Sequence, residues 1–103
     1  MDYQTPAGFD RMIHQPSRLA IMAILAGCER ADFTYLQEAS GLTKGTLSKH
    51  LTKLEEAGYI NIKKSFRNKY PLTQAALTRQ GRKAFKEYRQ SAATFLAALD
   101  PRD

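Results

Sequence analysis

The chain has 103 residues, a formal net charge of +6, a pI near 9.7 and 43% hydrophobic residues, which is one domain with a small core and room for a second subunit to bury surface. A single cysteine, Cys28, excludes an intramolecular disulfide framework and a thiolate-rich metal site. No run approaches the ~20 apolar residues of a membrane span, and the start MDYQTPAGFD has neither the basic nor the apolar segment of a signal peptide, so a cytoplasmic location is expected.

Met1 to Gly8 is polar and irregular. Phe9, Met12 and Ile13 recur at helical spacing and predict a short helix ending before Pro16. Pro16 suits the first position of the next helix. That helix runs through SRLAIMAILA, apolar on almost every side and so central and buried, and stops near Gly27. Thr34-Tyr35-Leu36-Gln37 reads as a capping box opening a short helix to about Ser40, which Gly41 can end in the left-handed conformation. Leu42 is expected to be buried in the turn, and Thr43 to cap the following helix.

On that helix Leu47, Leu51 and Leu54 form the core stripe, and Gly58 ends it. Tyr59 to Lys63 alternates as a strand, Arg67-Asn68-Lys69 is a polar turn, and Leu72 to Leu77 is a second strand with Pro71 at its start. A Thr78 cap opens the last helix. There Phe85, Tyr88, Ala92, Phe95 and Leu99 repeat at spacings of 3 and 4 as a heptad-like seam, and Asp100-Pro101 stops it.

The richest stretch is Gly41 to Tyr59. Opposite its leucine stripe stand Gly45, Ser48, Lys49, Thr52 and Glu56, with Thr46 and Lys53 on a flank. A helix with a small, hydroxylic and basic face, preceded by a short helix and a tight turn, is how a helix-turn-helix enters the DNA major groove. The charge supports it. Between Thr43 and Arg89 twelve basic residues stand against three acids, a local +9, which leaves −3 elsewhere and points to a polyanion partner.

These elements resemble the small stand-alone winged helix-turn-helix regulators of bacteria and archaea related to the MarR and ArsR families. The residues that carry the likeness are His14, Pro16 to Met22, Gly41 to Gly45, Leu47 to Leu51, Leu54 to Tyr59, Lys64, Phe66, Pro71, Thr73, Leu77-Thr78, Gly81-Arg82 and Ala84-Phe85. The chain departs at Leu72, where the family often carries Arg, and at Ala75, where it often carries an aromatic. The resemblance implies a mainly α fold with a β-hairpin wing, extended by an N-terminal and a long C-terminal helix. It also implies one winged-helix domain over residues 1–103, acting as a homodimer on pseudo-palindromic promoter DNA and expected to repress.

The residues expected at DNA are Thr43, Lys44, Gly45, Thr46, Ser48, Lys49, Thr52 and Lys53 on the helix, and Lys64, Arg67, Asn68 and Lys69 on the wing. Lys can reach guanine edges or phosphates, and Gly45 permits close approach; the basic tip suits phosphate or minor-groove contact. His50 and His14 are read as structural, and Cys28 as a small buried hydrophobe rather than a redox switch. Arg79, Arg82, Lys83, Lys86 and Arg89 touch phosphates or solvate the last helix. Residues 1–15 and 85–99 are assigned to dimerisation, through Phe9, Met12, Ile13, Phe85, Tyr88, Ala92, Phe95 and Leu99. There is no nucleophile elbow, phosphate-cradling loop or metal cluster, so neither an enzyme nor a cofactor is expected. The rival is a winged helix that docks on a protein partner, its charge incidental.

Overall fold

A computed structural model describes residues 9–99; the Met1–Gly8 segment and the Asp100-Pro101 stop lie outside them. The expected helix over Phe9 to Ile13 is a single turn instead. The Asp10 carboxylate accepts from the Met12 N–H at 2.8 Å and the Ile13 N–H at 3.4 Å. That turn ends at Gln15, whose side-chain oxygen accepts from the Arg18 N–H and caps α1 (Pro16–Ala26), with Pro16 in its first turn. Ile21, Met22 and Leu25 of α1 are fully buried, so α1 is the central helix its composition predicts.

A third strand, β1 (Ala31–Asp32), precedes α2 (Phe33–Ser40) and was not legible in the sequence. It also moves the helix start. Asp32, not Thr34, stands at the N-cap of α2, and Thr34 lies inside the first turn, so the expected capping box does not form. Gly41 ends α2 at φ +73°. The half-buried Leu42 packs against the core. Thr43 then caps α3 (Lys44–Glu56), its hydroxyl accepting from the Thr46 N–H at 3.2 Å.

Leu47, Leu51 and Leu54 are buried, as their spacing predicts. At the end of α3, Tyr59 N–H donates to Leu54 C=O and Gly58 N–H to Glu55 C=O. This pair closes the helix in a Schellman motif, which needs the left-handed φ of +83° at Gly58.

The wing is β2 (Ile60–Arg67) paired antiparallel with β3 (Tyr70–Leu77) around the two-residue turn Asn68-Lys69, with Asn68 at φ +59°. Both strands run further out than the alternation predicts. The sheet order is β1-β3-β2, and β1 meets β3 only at Ala31↔Ala75 and Asp32↔Gln74. Pro71 therefore sits inside β3 where that edge has no partner strand and no N–H is needed.

The last helix, α4 (Arg79–Ala97), is capped by Thr78, which accepts from Gly81 N–H at 2.9 Å and donates to Gly58 C=O at 2.6 Å. Gly81 is pressed on the wing root: a Cβ there would stand 2.0 Å from the Tyr59 carbonyl oxygen. The core joins α1, α2 and α3 to the sheet root and to Phe85 and Tyr88 of α4.

Candidate nucleic-acid interface

α1, α2 and the leucine stripe hold α3 from behind, so its opposite face is free. Thr43, Lys44, Gly45, Ser48, Lys49, Thr52 and Lys53 are all exposed, and Thr46 is half-buried. Some hydroxyls on this face are already engaged. Thr43 donates to the Thr46 hydroxyl at 2.9 Å, and Thr52 donates back to the Ser48 carbonyl at 3.0 Å. No side-chain bond within the protein occupies Ser48 or the three lysines among the described residues. A Cβ on Gly45 would meet no protein atom within 4 Å, so the protein's own packing does not demand glycine there.

The wing meets this face. A cleft of about 380 Å³ is lined by Lys44 and Ser48 of α3, Lys64 of β2, Pro71 and Thr73 of β3, and Asp32 at the start of α2. Beyond it Arg67, Asn68 and Lys69 are exposed at the wing tip. The wing root is tied to α3 by the Glu55 carboxylate, which accepts from the Ile62 N–H at 3.1 Å. Asp10 also accepts a hydrogen bond from the Tyr59 hydroxyl, and burial together with that carboxylate pushes the Tyr59 phenol up to about 12.

His50 is buried and structural. Its Nδ1 lies 3.3 Å from Nη1 of Arg18, whose Nε donates to Met12 C=O at 2.6 Å. Burial first, and the charges of Arg18, Lys49 and Lys53 after it, hold its imidazole below the ordinary value. His14 is exposed, but its Nδ1 is 2.7 Å from the Tyr88 hydroxyl, a link between the N-terminal turn and α4. Cys28 is half-buried, its Sγ donating to Ile24 C=O at 3.3 Å.

The second basic run is elsewhere. Arg79, Arg82, Lys83, Lys86 and Arg89 line a groove of about 870 Å³ along α4, with no residue of α3 or the wing turn among its walls. The local +9 thus divides between two surfaces.

The proposed seam also divides. Ile13, Phe85 and Tyr88 are at most 8% exposed inside their own protomer, so they form its core and present nothing to a partner. Phe9, Met12 and Ala92 are half-buried. Phe95, Leu96 and Leu99 are open, at 42%, 64% and 51% exposure. The Phe9 ring packs edge-on against Phe95 at 5.9 Å and tilted against Tyr88 at 5.5 Å, so the N-terminal turn lies beside the seam. Sequence reasoning singled out neither Leu96 nor Tyr70, and named Phe66 only for the family likeness; Phe66 and Tyr70 are exposed at the wing tip. The only available signal for the last two was an apolar residue beside a polar turn.

Among the described residues no helix is long and apolar enough to cross a membrane, and no three His, Cys, Asp or Glu side chains gather as a metal site.

Residues 17–96 match the winged helix DNA-binding domain family. An uncharacterized protein of Methanocaldococcus jannaschii is 45% identical over 71 residues, 69% of this chain and 77% of that one. Among solved structures, a transcriptional regulator homologue from Pyrococcus horikoshii OT3 superposes with a TM-score of 0.83 at 28% identity, over 88% of this chain and 90% of its own. A MarR-family regulator from Porphyromonas gingivalis W83 shares the fold, with a TM-score of 0.68 at 20% identity over 86% of each chain. The chain therefore belongs to the winged helix DNA-binding family, a DNA-binding protein on the fold of MarR-type regulators rather than an enzyme.

Proposed function

We propose that the chain is a cytoplasmic, homodimeric transcriptional regulator that reads a specific site in double-stranded DNA. In this reading α3 enters the major groove with Lys44, Gly45, Ser48, Lys49 and Lys53 toward the bases and phosphates, while Thr43, Thr46 and Thr52 position it. Lys64, Arg67, Asn68 and Lys69 hold the flanking backbone or minor groove. The observation that carries the reading is the shared cleft: Lys44 and Ser48 of α3 and Lys64 of the wing face one space. A duplex lying along α3 meets the wing as well, so helix and hairpin act on the same molecule.

The open end of α4, with Phe95, Leu96 and Leu99 beside Phe9, Met12 and Ala92, supports a two-fold partner contact. A dimer built there would read two half-sites about one helical turn apart, ~10 bp or a multiple. Repression by obstruction of polymerase follows from the family likeness alone.

The test is a titration of labelled genomic fragments, the chain's own upstream region among them, at two salt concentrations. Tight retention of one fragment at the higher salt is expected. Uniform binding that salt abolishes would mean non-specific association. No binding at either salt would favour a protein partner for the same helix.

A further inference from the structure

The groove along α4 stands apart from the surface assigned to DNA. Arg79, Arg82, Lys83, Lys86, Arg89 and Ala93 line it from within about 120° of the helix circumference, at ~3.6 residues per turn. From Arg79 to Ala93 the strip is about 21 Å long at ~1.5 Å per residue. The cations are exposed, whereas Ala26 of α1 and Leu77 of β3, which also line the groove, are half-buried, and Phe85 is buried. Apolar surface therefore lies at the bottom and positive charge along the lip. No Asp or Glu is among the lining residues, and Glu87, the one acid of α4, is not one of them. Arg79, Arg82 and Lys83 also stand near the positive end of the helix dipole, with no acid in the first turn to offset it. Arg82 finds a partner within the protein, its Nη1 donating to Ala26 C=O at 3.3 Å, but that oxygen carries no full charge. The face is short of negative charge along its whole length.

We infer that this groove docks a protein partner through an acidic amphipathic helix. The apolar stripe of that helix lies on Ala26, Leu77, Ala93 and the aliphatic stems between them, and its carboxylates meet the cations of the lip. The inference goes beyond the DNA reading and stands without it. Charge and shape together select the occupant. A small acid with a single carboxylate would satisfy one or two cations of a row that spans about 15 Å, and leave the others repelling one another. A duplex offers phosphates alone and would leave the apolar bottom wet. Single-stranded nucleic acid stacks its bases on accessible aromatic rings, and the one aromatic residue that lines the groove, Phe85, is buried. An acidic helix of about 14 residues spans the strip and presents apolar side chains every three or four residues with carboxylates between them, so bottom and lip are matched along the same length. A partner seated there leaves α3 and the wing uncovered, so protein and DNA can be held at once.

The experiment uses three fluorescent synthetic peptides of about 14 residues, the length of the strip. The first carries leucine and glutamate at helical spacing, the second has the same composition in scrambled order, and the third has lysine in place of glutamate. Kd is read by anisotropy for wild type, K83E/K86E and K49E, with Tm recorded for each protein. The first peptide is expected to bind wild type and K49E alike. The scrambled peptide should bind about tenfold more weakly through the lost apolar match, and the lysine peptide not at all. K83E/K86E should weaken the first peptide about thirtyfold, with a Tm at or above that of wild type because the reversal relieves repulsion along α4. Equal affinity of wild type and K83E/K86E overturns the proposal, and so does failure of wild type to bind the first peptide. An equal loss in K49E overturns it by moving the peptide to α3, and equal affinity for the scrambled peptide by reducing the contact to charge. Displacement of the peptide from K49E by excess random duplex would assign the groove to nucleic acid. Loss of self-association in K83E/K86E by light scattering would assign it to a second copy. A lower Tm in K83E/K86E would mean that the cations support the fold, and each of these three results also overturns the proposal.

Discussion

α3 and α4 are both amphipathic, and both carry basic residues away from the core, yet their outer faces are built differently. On α3 the lysines are separated by Gly45, Ser48 and Thr52, so the backbone itself can come close to a partner. On α4, Arg79, Arg82, Lys83, Lys86 and Arg89 stand at spacings of three and four with long side chains throughout. Like charges at those spacings repel, as Lys49 and Lys53 also do on α3, and neither helix carries an acid in its first turn, so the difference lies in the residues between the charges. A duplex could lie on α4 only at the length of an arginine. On the proposed reading, the size of the residues between the charges, rather than net charge, separates the helix that reads bases from the one that does not. The apolar sides differ too. The stripe of α3 is finished inside the protomer, whereas that of α4 is buried through Tyr88 and open from Phe95 onward.

The largest effect tests that open end. F95D places an unpaired carboxylate in the proposed interface twice per dimer, at a cost on the order of several kcal/mol. Light scattering should then report a monomer; a dimer that survives moves the interface off α4. At the inner end of the same helix, G81A forces a methyl onto the Tyr59 carbonyl and should cost about 3 kcal/mol, read as a shift of the urea midpoint. An unchanged midpoint would mean that α4 and the wing root are not locked together.

K49A and K86A set the two basic faces against each other. K49A should weaken binding to the retained fragment about tenfold without lowering Tm, and K86A should leave it near wild type. Equal losses would erase the distinction drawn between the helices. G45A sharpens it further. Alanine is favoured over glycine in a helix by roughly 0.5–1 kcal/mol, and the space around Gly45 is open, so the variant should be more stable while binding DNA less well. Tighter binding would show that nothing approaches that position closely.

The long elements were legible because period and punctuation agreed. Pro16 opened α1, Gly41 and Gly58 closed α2 and α3 in the left-handed region, and Thr43 and Thr78 capped as expected. Where the sequence misled, a local side-chain cap or a tertiary partner accompanies the change. Asp10 turned a helix-spaced segment into one capped turn. β1 is two residues long, too short for any alternation, and exists because Gln74 donates to Asp32 at 3.0 Å beside the Ala31↔Ala75 pair. The outer wing lacked a period because neither of its faces meets the core.

For the interface, α3 was readable from the face opposite its leucines. The exposure of Phe66 and Tyr70 at the wing tip was not, since an apolar residue in a strand ordinarily signals core. Ile13, Phe85 and Tyr88 misled in the opposite sense: a heptad-like repeat does not say where the protomer ends and a partner begins.

The most direct test of the central claim, that α3 and the wing form one DNA-binding surface, is to follow the amide chemical shifts of the labelled protein as the retained duplex is added. The largest changes are expected at residues 43–53 and 64–70, moving together along one titration, with small ones at residues 79–89. Changes concentrated on α4, with α3 silent, would contradict it.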